Sequence, residues 1–319
     1  MDVFFAGFSS AFMAMLQIGI VIAVAGVLAR AGVFQDSMIT GASRAVVFCF
    51  LPCLIFDKIT RGFDPTTMPY WWMIPVSALV LFLVGLTVTL VLNHVEFLKK
   101  PDLLPLGFMQ NAGYFSIAIG ETLVPEQFDT WAVYTFLFVL IFNPLLWTFG
   151  KYFVSDNRAT RFQFRQLITP PLMGVILGIV MVLSGLIQWV PHPARNAAAL
   201  LGNAAVPLSL VILGATIATT PLRLRNHARL ILKSLLSKLV LIPAITLGLL
   251  LWMDLPAELS LLGLFWMLQA AYPQASNLVL QIRTYGGSAE RVCAVLVSGY
   301  TVSLLTLPIW VGIWTWLSH

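Results

Sequence analysis

The sequence predicts an all-α polytopic membrane protein of ten transmembrane helices, built as two inverted five-helix repeats with broken helices 4 and 9. Three observations carry that expectation: an extreme apolar composition, a one-sided distribution of basic residues, and polar interruptions at matching places in two apolar segments. Of 319 residues, 59% are hydrophobic and 10% are charged, whereas a soluble domain carries about a quarter charged residues. Each bilayer span takes about 20 apolar residues, so this length allows roughly ten spans with short connections. The longest connection runs from about Gly150 to Ile168, too short for a separate soluble domain.

Ten apolar segments, bounded by charge, proline or interfacial tryptophan, succeed one another along the chain. The first five are Phe8–Leu28, Ile39–Phe56, Trp71–Leu92, Leu103–Leu123 and Trp131–Phe149. The second five are Pro170–Val190, Ala197–Ala218, Leu235–Met253, Leu261–Ile282 and Val292–Leu317. Trp71, Trp72, Trp131, Trp189, Trp252 and Trp316 fall at the expected interfaces and read as anchors. Arg223 to Lys238 reads as a basic, partly amphipathic entry to helix 8.

Basic residues fix the expected orientation, because cytoplasmic connections collect lysine and arginine. With the N-terminus outside, the cytoplasmic connections hold Arg30, Lys99, Lys100, Lys151, Arg158, Arg161, Arg165, Arg223, Arg225, Arg229, Lys233, Arg283 and Arg291. The outer connections hold only Lys58, Arg61 and Arg195. Arg44 and Lys238 sit just inside helices that start from the cytoplasmic face. Glu126, Asp129, Asp254 and Glu258 fall on the outer side. A cell inner-membrane protein with both termini periplasmic is expected. The net charge of +5 is therefore a topology signal, and no nucleic-acid partner is expected. Met1-Asp2 opens the chain without a basic stretch, so no cleaved leader is expected.

The halves repeat. Pro52 in helix 2 and Pro207 in helix 7 stand 207 − 52 = 155 positions apart, and Pro144 closing helix 5 and Pro308 closing helix 10 stand 308 − 144 = 164 apart. Residues 1–150 and 151–319 form the two repeats. Each has an odd number of spans, so the second inserts upside down relative to the first, the inverted-topology arrangement of many secondary transporters.

Helices 4 and 9 are apolar at both ends and polar in the middle. Gln110, Asn111, Gly113, Tyr114 and Ser116 interrupt the first. Gln269, Tyr272, Pro273, Gln274, Ser276 and Asn277 interrupt the second. Pro273 removes an amide donor, and Gly113 permits dihedrals that other residues avoid. Unwound backbone at bilayer depth is tolerated only when buried in protein or lining a cavity. A broken helix also presents amide donors and about half a positive charge at its new N-terminus, so two such ends suit an anion. The candidate substrate-binding residues are Asn111, Tyr114, Ser116, Gln269, Tyr272, Pro273, Gln274, Ser276 and Asn277, with Asn143 of helix 5 reaching the cavity from the side. The competing reading is that these side chains only hold helices together.

The segments "FCFLPCLIF" in helix 2, "NPLLWTFG" closing helix 5, "TPPLMGVILGIV" opening helix 6, "VPLSLVILG" in helix 7 and "LTLPIW" in helix 10 resemble the auxin efflux carrier family. The resemblance covers nearly the whole chain. It implies a scaffold of helices 1, 2, 6 and 7 and a transport domain of helices 3–5 and 8–10, crossing at helices 4 and 9. It also implies an elevator-type secondary transporter of small organic anions, either auxin-like monocarboxylates or malate- or malonate-like dicarboxylates. The sequence departs from the plant members in lacking a long loop after helix 5. Its second break also reads Tyr272-Pro273-Gln274 in place of Asn-Pro-Asn. Both departures leave the substrate open.

Other classes fit less well. No HExxH motif occurs, and His94, His192, His227 and His319 fall outside the expected spans; neither catalysis nor a cofactor or metal is expected. Three cysteines make no disulfide framework. A sodium-coupled bile-acid-type organic anion symporter would want an acid beside the helix 9 break, where Gln269 and Gln274 stand instead. A receptor or channel is the remaining alternative. Glu121 and Asp57 lie toward the outer ends of their helices, and Glu121 reads as an ordinary interfacial acid ahead of a protonatable gate. Gly174 and Gly178 form a small-residue face, read as internal packing, with a homodimer through the scaffold as the alternative use. The expected partners are the bilayer and a small organic anion, with that homodimer left open. Cysteine labelling or reporter fusions should place both ends outside; a cytoplasmic His319 would remove the even span number on which the repeat depends.

Overall fold

Backbone amides in an apolar medium must bond within their own segment, and this chain answers with helix almost throughout. The computed structural model describes residues 2–97, 103–150, 153, 170–219, 224–278 and 288–318. Of the orienting basic residues, Lys99, Lys100, Lys151, Arg158, Arg161, Arg165, Arg223 and Arg283 lie outside the described residues. Among the described residues there is no β-strand, only one isolated bridge.

The elements in order are α1 (Asp2–Arg30), α2 (Asp36–Gly62), α3 (Met73–Phe97), α4 (Leu103–Phe108), α5 (Tyr114–Leu123) and α6 (Phe128–Leu145). They continue as α7 (Pro170–Leu183), α8 (His192–Thr219), α9 (Leu224–Met253), α10 (Ser260–Ala271) and α11 (Ala289–Leu317). Seven helices among the described residues are long and apolar enough to cross a membrane, namely α1, α2, α3, α6 with its preceding turn, α8, α9 and α11. At about 1.5 Å per residue, each is long enough to pass through the hydrocarbon layer. The chain is an all-helical, multi-pass membrane protein.

A π-helical stretch, Leu146–Gly150, follows α6, and two more interrupt regular hydrogen bonding inside long helices, Val46–Phe50 in α2 and Leu236–Leu241 in α9. Each of the latter two lies just before a proline, Pro52 and Pro243, which cannot donate to the preceding turn. Helix α7 stops at Leu183, short of the expected Val190, because Gly185 turns into left-handed backbone (φ 69°) and a 3-10 turn over Leu186–Trp189 comes next. Glycine is the residue that takes this conformation at a helix end.

Apolar side chains face outward along most of the long helices, as a bilayer requires; Phe48, Val91, Leu183 and Leu200 are all exposed. Trp72, Trp189, Trp252 and Trp316 are exposed near helix ends, as anchors should be. Trp131 is not an anchor. It is fully buried, donates its indole N–H to the Ser116 carbonyl at 2.9 Å, and meets Phe265 edge to face. Its amphipathic ring serves an internal carbonyl in place of the membrane surface.

Helix α1 packs along α8 and α11, while α2 packs on α7, on the first part of α8 and on α6. Helix α3 lies on α6, and α9, α10 and α11 pack on one another. The small-residue face of α7 is used inside the chain: Gly174 sits against Pro52 and Ile55, and Gly178 against Ile59, all on α2. On α8, a Cβ at Gly214 would run into the Ile22 carbonyl of α1. Gly214→Ala should therefore force α1 and α8 apart and cost about 1–3 kcal/mol, read as a lowered melting temperature in detergent. Gly248→Ala, with open space at its Cβ, should not lower it. Equal melting of both variants would contradict this packing.

Candidate functional site

Two buried stretches leave helical geometry and meet. Helix α4 ends at Phe108 and α5 begins at Tyr114. Helix α10 ends at Ala271, and helical backbone resumes at Asn277. The second interruption results from Pro273: the residue before a proline is driven out of helical geometry, and Tyr272 is extended (φ −60°, ψ 145°). Gly113 caps the start of α5 with φ −98° and ψ −79°, and no side chain caps that helix.

The stretches pair as a minimal antiparallel bridge centred on Gln110 and Gln274. Asn111 N donates to Pro273 O, and Ala275 N donates to Met109 O, both at 2.9 Å. Side chains reinforce the pairing. Asn111 Nδ2 donates to Tyr300 Oη on α11 at 2.6 Å and more distantly to Ser276 Oγ at 3.4 Å. Gln269 Nε2 donates to Ala112 O at 3.2 Å and lies 3.4 Å from Ser116 Oγ. Ser116 Oγ also shares a hydrogen bond with Thr135 Oγ1 on α6 at 2.8 Å. Phe115 meets Tyr272 and Tyr300 edge to face at 5.6 and 5.5 Å between centroids.

Two cavities flank the crossing, of about 310 and 480 Å3. Val47, Asn111, Tyr114 and Asn277 line both. The smaller adds Gln110, Gly113, Asn143 and the Pro170-Pro171 start of α7, among mostly apolar walls. The larger adds Ser276 with Thr40, Ser43, Arg44, Ser209 and Thr216.

The sequence-predicted residues thus divide. Asn111, Tyr114, Asn143, Ser276 and Asn277 reach the cavities. Ser116, Gln269, Tyr272 and Gln274 are fully buried and line neither cavity. Pro273 contributes its carbonyl to the bridge. Gln274 packs its amide onto Gly299 of α11, where a Cβ would collide with it. Among the described residues no cluster of His, Cys, Asp and Glu suitable for a metal occurs. The two acids weighed from the sequence are elsewhere. Glu121 is exposed in the last turn of α5, and Asp57 is buried but paired with Arg61 at 2.7 Å.

Sequence reasoning misses three participants. Tyr300 gives no signal, being one aromatic residue in a long apolar helix. Arg44 reads only as a topology marker, yet it lines the larger cavity with no acid partner among the described residues. Lys238 reads as a residue near the start of its helix, but its ammonium is fully buried against the Ala270 carbonyl, at the end of α10.

Comparison with known proteins agrees with this architecture. The family described as membrane transport protein matches residues 10–104 and 155–311. An uncharacterized transporter of Saccharomyces cerevisiae is 29% identical over 147 residues, covering 43% of this chain and 26% of that protein. The matched region is about a quarter of that curated relative's length. The family match spans both halves and most of the chain, including α1 to α3 and α7 to α11; the chain belongs to the membrane transport protein family of auxin efflux carrier type.

Proposed function

We propose that this transporter moves a small organic anion by alternating access, with the anion held at the crossing beside Asn111, Tyr114 and Asn277. The observation that carries the reading is the mutual pairing of two non-helical stretches at corresponding places in the halves, flanked by cavities. In this reading each stretch is the break in a span, joining α4 to α5 in the first case and α10 to the helical backbone from Asn277 in the second. Those two spans, α7 and the seven long helices make ten, in two inverted repeats. The packing supports such a division: under exchange of the repeats, the α1–α8 contact corresponds to the α2–α7 contact. Helices α1, α2, α7 and α8 then form the scaffold, and the others the moving unit.

The chemistry rests on the donors available. The first-turn amides of α5 have no helical acceptor within α5, and no side chain caps them. The helix start also carries a partial positive charge. Asn277 offers a neutral amide without the cost of a buried charge, about 2.5–3.5 kcal/mol or more. Arg44 on the scaffold side adds a solvent-screened positive charge that attracts anions into the larger cavity. Both cavities touch helix ends that the charge pattern assigns to the cytoplasm, so this conformation is read as inward-facing. Cavities of this size admit an auxin-type monocarboxylate or a malonate-type dicarboxylate; both are proposed classes.

Each charge-assisted hydrogen bond contributes roughly 1.5–3 kcal/mol. Asn277→Ala should therefore weaken binding about tenfold or more, with unchanged thermal stability. Asn111→Ala should weaken binding at least as much and also lower the melting temperature, because Asn111 ties the bridge to Tyr300 and Ser276. Titration of the purified protein with malonate and with indole-3-acetate reads both effects. If both variants bound as wild type does, the site would lie away from the crossing.

Arg44→Gln should raise KM about two- to fivefold with kcat unchanged, the range for a solvent-screened charge. The increase should shrink at high salt. Uptake into proteoliposomes checks it, and an unaltered KM would leave Arg44 only a topology marker. The same assay separates carrier from channel: a carrier saturates and shows counterflow, and a flux with neither would end the alternating-access reading.

A further inference from the structure

Among the described residues, Asp57 and Lys238 are the two buried charged side chains. Asp57 has Arg61 as its counter-ion. Among the residues whose side chains are described, no carboxylate lies within ion-pair distance of Lys238. The elements packed around it are α3, α4, α10 and α11. Their acids, Glu96 and Glu290, belong to terminal turns, and Glu290 faces His227 at 3.4 Å. An unpaired basic group at this depth is costly, and such groups in membrane spans mark function.

The surroundings hold Lys238 on both sides. Its neighbour Ser237 shares a hydrogen bond with Thr89 of α3 at 3.0 Å. The Leu239 carbonyl, which Pro243 cannot serve, accepts the Trp310 indole N–H at 2.8 Å. From this widened turn the ammonium donates to Ala270 O. That carbonyl lacks its helical donor, because Gln274 has left the helix for the bridge. Lys238 therefore caps the C-terminal end of α10, which otherwise directs about half a negative charge toward the crossing.

We propose that Lys238 in its protonated form is a resident cation of the moving unit: a positive charge that offsets the repulsive end of α10 and travels with the bound anion. It acts through Ala270 as a positioning residue. The proposal rests on the anion-carrier reading, with α9 in the moving part. Simple addition then gives the charges. Counting only the buried charged side chains among the described residues, the empty unit carries +1, and with dianionic malonate it carries −1. In Lys238→Met these become 0 and −2, while Lys238→Arg keeps the wild-type values.

The test is electrical. Protein reconstituted in planar or solid-supported membranes, without any anion substrate, should give a transient charge movement after a voltage jump, as the empty unit reorients. Lys238→Arg should retain it and Lys238→Met should lose it. With malonate on both sides, exchange by Lys238→Met should depend on voltage by one elementary charge more than wild type. That is a difference of up to about 50-fold per 100 mV for a charge crossing the whole field. A merely structural lysine would change the amount of folded protein and leave these slopes alone. Equal slopes in Lys238→Met and wild type would overturn the proposal. So would an empty wild type that moves no charge, a result that stands even if Lys238→Met does not fold. Failure of wild type to exchange either malonate or indole-3-acetate would count instead against the anion-carrier reading, and the substrate-free transient would still decide Lys238.

Discussion

A non-helical peptide inside a bilayer has to find partners for its N–H and C=O groups, and here two such stretches partner each other. Asn111 N with Pro273 O, and Ala275 N with Met109 O, are the bonds that make both interruptions tolerable. Left unpaired, each buried group would cost about 1–3 kcal/mol, and several in pure hydrocarbon. Neither stretch is stable without the other. Separating them would strand four buried backbone groups, so the pairing favours a common position for the helices attached to both stretches.

That dependence explains why polar side chains concentrate here beyond what the backbone needs. Asn111 and Gln269 tie the bridge to α11 and α5. Gln110 Nε2, Gln269 Oε1 and both amide atoms of Gln274 are buried with no partner among the described residues. A packed polar network usually satisfies its members, and unsatisfied buried groups in a native protein call for a reason. Gln110 lines the smaller cavity, whereas Gln274 is packed against Gly299.

The interruptions are legible in the sequence because their causes are local. Proline forbids a donor and constrains its predecessor, and matched polar runs in two apolar segments stand out against a lipid-facing background. The membrane class is legible from composition for the same reason. The parts that could not be read are tertiary. Trp131 looks interfacial by position, yet the fold turns it inward to the Ser116 carbonyl. Ser116, Gln269, Tyr272 and Gln274 share a sequence neighbourhood with cavity residues, but helical and extended geometry direct them to the buried side. Tyr300 and Lys238 reach the crossing from α11 and α9, and no spacing rule links those helices to it.

Charge is distributed with the same logic as hydrogen bonding. The cavity faces carry neutral amides, hydroxyls and one screened guanidinium, Arg44, while the buried ammonium of Lys238 stands behind the bridge at the end of α10. A cation placed directly in a dry site would hold an anion tightly and slow its release. Placed one helix end away, as proposed for Lys238, a cation would set the sign of the local potential without forming an ion pair with an anion at the crossing. For the anion site proposed at the crossing, selectivity for negative charge and ease of release could then coexist, because the buried cation would not touch the anion and Arg44 would add only a screened charge at the cavity face.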